Sequence, residues 1–594
     1  MHINTKKTET KTMTITLQHD KDLNLDQIDK VGNSGENVNL SKTTRLMLQK
    51  KRDQLSEYIS QRKYPAYGFN RGFGHNVDLQ VEPELLSKLQ ENLIISHAVG
   101  MGEPLDDSLV RYIMLFRAQS LCRGYSGIRP EVVEQLLAML NHNIIPLVPE
   151  LGSVGASGDL APLSHVALAL IGKGNVRFQG KVISAALALK KAGLSPLKLE
   201  MKEGLALNNG IQFMTAIGVY CCQRMQVFLK TACIQTAMTA QVMLATETPF
   251  REDLHRLRPH PGSLKTARWI YDLMKNSPLR EAHREYLIDG EIQDPYNLRC
   301  AAQILGPCAE LIDECEAALL LEINSVTDNP IILPADKKNG WKKSDPYYGQ
   351  SVDIVSAGHF HGMPIAVRIY NLLQAMGIMA GLINQRCARF VDGNRNKGLG
   401  RDLKWPDLPD KIKAISSIMM MPEYSSAALA NAIWGEAMPS HLFNISTNSG
   451  QEDHVSMGSG LAVRVMKALP KLGYLLAIEM AYIIQAAAIR KQLSYIPSRV
   501  PLSAEIKEKL DVVKSELQET DKLFSISLQV QEQYSVKPGS RKLNPVGELI
   551  LKELSSVFPP VEKDTFLSER LQALAETITA GKTVDLAESM IVLK

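Results

Sequence analysis

The chain has 594 residues, 45% of them hydrophobic and 22% charged, with a formal net charge of +4. This is ample apolar material for a sizeable core, and too even a charge balance to argue for nucleic acid or an anionic membrane as partner. The cysteines Cys122, Cys221, Cys222, Cys233, Cys300, Cys308, Cys315 and Cys387 form no Cys-x-x-Cys pair and no disulfide-like density, which predicts reduced thiols and a cytoplasmic location.

In chain order, residues 1–22 read as a disordered tail. Met1–Thr14 is rich in Lys and Thr and has no apolar run of a signal peptide. Residues 23–204 are mixed, with few strand signals and Gly-rich loops at Tyr67–His75 and Gly152–Gly158. From 205 to 500 helical periodicity dominates, in apolar segments at Leu205–Ala245, Asn297–Ile323, Ile365–Phe390 and Val463–Ala488. Segments this long predict a mainly α, long-helix bundle that oligomerises. The most apolar run, Leu472–Ile489, is interrupted by Glu479 and Gln485 and reads as a buried bundle helix rather than a membrane span. Ala335–Gln350 and the basic Asp392–Lys404 interrupt the bundle; the second is read as a solvated loop. Residues 501–594 make a C-terminal helical region.

The most informative stretch is Gly152-Ser153-Val154-Gly155-Ala156-Ser157-Gly158-Asp159-Leu160-Ala161-Pro162-Leu163-Ser164-His165. Its plainest reading is a glycine-rich turn before a helix. Asp159 is a suitable N-cap, Pro162 is tolerated in a first turn, and Leu163, Val166, Ala167 and Leu170 make an apolar stripe ended by Gly172 and Gly174. A phosphate cradle is a poorer fit, because no Gly-Lys-Ser/Thr follows. Ala-Ser-Gly also permits a covalent step. The Gly158 nitrogen can attack the Ala156 carbonyl carbon, and loss of two waters, one from Ser157, leaves an electrophilic exocyclic methylene at the positive end of a helix dipole.

Other motifs accompany it in order: Tyr67-Gly68-Phe69-Asn70-Arg71-Gly72-Phe73-Gly74, Asn92-Leu93-Ile94-Ile95-Ser96-His97, and Glu203-Gly204-Leu205-Ala206-Leu207-Asn208-Asn209-Gly210. Gln293-Asp294-Pro295-Tyr296-Asn297-Leu298-Arg299, Gly358-His359-Phe360-His361-Gly362 and Gln451-Glu452-Asp453-His454-Val455-Ser456-Met457-Gly458 follow. Together they resemble the histidine/phenylalanine ammonia-lyase family of aromatic amino acid lyases, in spelling most like its histidine branch.

The resemblance implies the fumarase/aspartase-like helical fold and a 4-methylideneimidazole-5-one group formed from Ala156-Ser157-Gly158, with no metal or nucleotide required. It implies elimination of ammonia from an aromatic or imidazole amino acid, a small-molecule substrate. It further implies Tyr67 as the base taking the β-proton, His97 facing the substrate side chain and Asn209 beside the prosthetic group. Arg299 would hold the carboxylate, suited by its planar fork, with Gln293, Tyr296 and Phe360 in the same pocket. A homotetramer is implied, with active sites drawn from three chains, Tyr67 and Ser157 on different subunits.

The chain departs from the histidine branch at His359, Asn208, Gly450 and Arg71, and Ala432 stands where an active-site glutamate is usual. These differences are read as clustering around the substrate. A 2,3-aminomutase shares the prosthetic group and is the nearest rival. A metal-dependent hydrolase on His359, His361, Glu452, Asp453 and His454 lacks any matching ligand spacing. A non-catalytic bundle protein would leave the intact Ala156-Ser157-Gly158 unexplained.

Overall fold

The computed structural model describes residues 14–61, 68–69, 81–284, 293–334, 352–493 and 541–593. Tyr67, Arg71 and the 335–350 interruption lie outside the described residues. The chain is mainly helical. It divides into two compact units, each assembled from separated stretches: Met1–Tyr220, Cys315–Tyr370 and Pro439–Arg464 in the first, and Cys221–Glu314, Asn371–Met438 and Val465–Lys594 in the second.

The four long apolar segments are helices at Gln212–Val242, Ala301–Ile323, Met363–Val391 and Gly458–Gln492. The first is shorter than its periodicity suggests. A separate helix, Glu203–Asn208, ends before Asn209, whose backbone is extended. The break has a local cause, because a Cβ on Gly210 would stand 2.3 Å from Arg117 Nη1 and the Gly210 carbonyl is claimed by Asp159 N–H at 2.6 Å.

In the first unit the helix Asp107–Cys122 is buried from Leu109 onward. Its arginines are tolerated there because backbone carbonyls meet them: Arg117 Nε reaches Ala206 O at 2.9 Å, and Arg111 reaches Val31 O and Leu140 O at 2.8 and 3.0 Å. The same unit carries short sheets. Ile15–Leu17 pairs parallel with Val38–Leu40, Met101–Pro104 antiparallel with Pro149–Leu151, and Asn175–Phe178 lies between Ile145–Pro146 and Lys181–Ser184. Ile331–Pro334 pairs with Val352–Val355, and Ile332 and Val352 pack with Leu55, Tyr58 and Phe69 in one buried cluster.

The second unit packs helix against helix. Gly262 and Gly306 let two helices touch, since a Cβ on Gly262 would fall 2.0 Å from Gly306 O. The residues that interrupt the apolar run are buried and paired. Glu479 takes two hydrogen bonds from Arg386, at 2.5 and 2.8 Å, and one from Thr239, while Gln485 Nε2 donates to Leu403 O and Val561 O. Two helices, Met363–Val391 and Gly458–Gln492, have the length and hydropathy of membrane spans, but 89% of the most apolar window of the second is buried inside the protein. The 392–404 loop differs from its reading as solvated. Arg395 and Arg401 are exposed, yet Asn396 is fully buried, donating to Phe390 O and Gly400 O and accepting from Leu399 N–H.

Candidate active site

The Gly152–Gly158 segment leads into the helix Leu160–Leu170, and Leu163, Val166, Ala167 and Leu170 are buried as their spacing predicts. Asp159 occupies the N-cap position without capping by its side chain. Its carboxylate instead accepts from Ser153 at 2.9 Å, Ser459 at 2.5 Å and Met214 N–H at 3.0 Å. Full burial pushes its carboxyl up to about 6, against the opposing pull of these donors.

Gly158 has φ +78°, and a Cβ there would stand 2.3 Å from Gly210 O, so only glycine fits. A second loop clasps the first. Met457 N–H donates to Val154 O at 2.9 Å and Ser456 Oγ to Gly155 O at 3.2 Å, while Gly155, at φ +65°, leaves room for Ser456.

Ser157 is held at both polar atoms. Its carbonyl accepts from Asn209 Nδ2 at 2.9 Å and its hydroxyl donates to Glu452 Oε1 at 2.9 Å. The other Glu452 oxygen accepts from Thr447 Oγ1 at 2.6 Å, within a short bridge that pairs Thr447 with Glu452 through the backbone.

These groups open on a cavity of about 490 Å³, lined by His97, Ala156, Ser157, Asn209, Phe360 and Glu452 among others. That is the size of a small-molecule site. His97 ends the helix Leu86–His97, with Ser96 Oγ 3.0 Å from its Nδ1. Burial lowers its pKa, outweighing a Leu93 carbonyl contact and the Glu452 charge, so it is neutral at physiological pH. Asn329 also lines the cavity and is fixed from behind: Lys202 Nζ, fully buried against Asp328 at 2.9 Å, donates to Asn329 O at 3.1 Å, and Ala357 N–H donates to Asn329 Oδ1 at 2.8 Å.

Of the residues singled out in the sequence, the structure brings Ala156, Ser157, His97, Asn209 and Phe360 to one cavity, with Gly158 beneath Ser157. Gln293, Tyr296 and Arg299 belong to the second unit and are not among the lining residues. There the Arg299 guanidinium lies 4.8 Å over the exposed Tyr296 ring, and its buried Nε has no hydrogen-bond partner among the described residues. Tyr67 itself is outside the described residues. The following Gly68 packs beside Leu205, a lining residue, and Phe69 is fully buried.

Two expectations change. Asn208 does not face the cavity: it is fully buried and donates to Ser164 Oγ at 3.1 Å. His359 is exposed and outside the lining of this cavity. His361, which does line the cavity, has both ring nitrogens engaged by backbone: Nε2 donates to His454 O at 3.0 Å and Nδ1 accepts from Met363 N–H at 3.3 Å. No cluster suited to a metal ion occurs among the described residues. The sequence placed Glu452 in a motif and, with Asp453, in the metal-hydrolase alternative, without a role at Ser157. Nothing local distinguishes it from Asp453, and the distinction arises from the contact with Ser157 across the fold.

The model of the family described as aromatic amino acid lyase matches residues 23–513. A histidine ammonia-lyase of Deinococcus radiodurans is 40% identical over 461 residues, 78% of this chain and 83% of that protein. Among solved structures, a histidine ammonia-lyase from Trypanosoma cruzi superposes with a TM-score of 0.78 at 26% identity, covering 98% of this chain and 96% of that one. A phenylalanine aminomutase from Pantoea agglomerans gives 0.79 at 27% identity, covering 95% and 98%.

Proposed function

Given that this chain belongs to the aromatic amino acid lyase family and is a carbon–nitrogen lyase, we propose that it is an ammonia-lyase converting an imidazole or aromatic L-amino acid to the trans-arylacrylate. Histidine to urocanate is the reading nearest to the curated relatives. We further propose that Ala156-Ser157-Gly158 matures into 4-methylideneimidazole-5-one. The observation that carries this is Ser157 itself, with its hydroxyl presented to Glu452, its carbonyl held by Asn209, and a glycine that nothing else can replace on its C-terminal side.

When formed, the group supplies an electrophilic methylene that takes up the substrate amine and makes it a better leaving group. The Asn209 amide, donating to the Ser157 carbonyl, stabilises negative charge drawn onto that oxygen. His97, kept neutral by burial, meets the substrate side chain as a hydrogen-bonding partner suited to an imidazole. Tyr67 takes the β-proton. Arg299, with Tyr296 and Gln293, holds the carboxylate in a homotetramer whose sites are completed by other subunits. Engagement of both His361 nitrogens by backbone supports a site that needs no added metal, and buried free cysteines fit a cytoplasmic location.

An aminomutase is the second reading, favoured by the likeness to the phenylalanine aminomutase. Incubation of the purified protein with histidine, phenylalanine and tyrosine, read by mass spectrometry, decides between them. Free ammonium and an arylacrylate support the lyase; a β-amino acid supports the mutase. Ser157→Ala is expected to lose either activity while keeping the fold, and full turnover by that variant would refute the scheme.

A further inference from the structure

Glu452 is the acidic side chain that contacts the Ser157 hydroxyl, at 2.9 Å, and its second oxygen is fixed by Thr447 at 2.6 Å. Two donors, one on each oxygen, fix the orientation of the carboxylate. Ser157 Cα lies two bonds from that hydroxyl, so the carbon that must lose its proton belongs to the residue this carboxylate already contacts. We propose that Glu452 is the proton carrier for dehydration of Ser157 as the prosthetic group forms, an inference that rests on the maturation proposed above.

The step balances within the chain. Glu452 takes the proton from Ser157 Cα, and the electrons of that C–H bond become the Cα=Cβ double bond. The Cβ–Oγ bond breaks with its electron pair on oxygen, and Glu452 returns the proton to that oxygen, which leaves as water. The other water comes from ring closure: the Ala156 carbonyl oxygen leaves with the backbone N–H protons of Ser157 and Gly158, as the Gly158 nitrogen bonds to the Ala156 carbonyl carbon. Glu452 ends as it began, and no outside reactant is needed. Asp159 is placed differently. Its carboxylate is taken up by Ser153, Ser459 and Met214, so it anchors the loop.

The test follows the mass of the proteolytic peptide containing residues 152–165 at timed intervals after synthesis of the full chain. The wild-type peptide is expected to become two waters lighter. Glu452→Gln is expected to stop at the loss of one water, ring closed and hydroxyl retained, with the second loss slowed about 100-fold or more. Thr447→Val keeps the carboxylate but frees one oxygen, and is expected to slow the second loss several-fold; it serves if Glu452→Gln does not fold. Two-water loss at the wild-type rate in a folded Glu452→Gln, or in Thr447→Val should the former not fold, overturns the role of Glu452. A wild-type peptide at full mass overturns the prosthetic group itself, and this role with it.

Discussion

Gly158→Ala, made in a Ser157→Ala background that cannot dehydrate, tests whether the Ala156-Ser157-Gly158 turn is held by backbone contact. At φ +78° a residue with a Cβ costs about 1–2 kcal/mol. The new methyl would also stand 2.3, 2.6 and 2.7 Å from Gly210 O, C and N. Those are backbone atoms, and Gly210 O already accepts from Asp159 N–H at 2.6 Å, so relief means displacing the loop from the start of the helix Gln212–Val242. Overpacking of that kind adds about 1–3 kcal/mol, for a total of about 2–5 kcal/mol. Gly180→Ala is the matched control, since Gly180 has φ +73° with nothing within 4 Å of a Cβ and isolates the backbone part, about 1–2 kcal/mol. Thermal and urea midpoints of both variants at one pH give the comparison. Equal losses would refute the contact argument.

Glu479→Gln should destabilise by about 3–5 kcal/mol, because it leaves the buried Arg386 charge without its counter-charge; a midpoint within error of wild type would contradict this. His97→Phe should shift selectivity from imidazolyl toward phenyl side chains by about 100-fold in relative kcat/KM, read from paired kinetics. The depressed pKa of His97 favours its neutral form in the folded state, so that part of stability is complete above about 6.5 and declines as pH falls toward the folded value. Asp159 works the other way. Its folded value near 6 exceeds the ordinary aspartate value of about 4, so its contribution is fully present below about 4 and declines as pH rises to about 6. Asp159→Asn should therefore make stability climb more steeply with pH across that window, by at most about 3 kcal/mol; an unchanged slope in urea midpoints would argue that Asp159 is not desolvated.

Much was legible because local rules suffice for it. Apolar spacing marked the four long helices, and Pro162 with the stripe from Leu163 to Leu170 marked the helix after the turn. Asn208 shows where pattern stops. Its place in a motif suggested the substrate, yet its side chain serves Ser164, because the helix ends at Asn208 and the extended backbone at Asn209 turns the next amide to the Ser157 carbonyl at the cavity. Asn396 shows the same for the basic loop, where an interior amide satisfies three backbone groups that solvent would otherwise take.

By itself the sequence determined the helical class, the helix entrance at Asp159 and a tripeptide capable of cyclising, since each depends on residues a few positions apart. Only the tertiary structure decided which carboxylate meets the Ser157 hydroxyl. Glu452 is 295 positions away along the chain, and the choice between it and Asp453 is made by the Thr447 bridge and the clasp of Met457 on Val154. Contacts of that range follow from how loops close on one another, which no local spacing encodes.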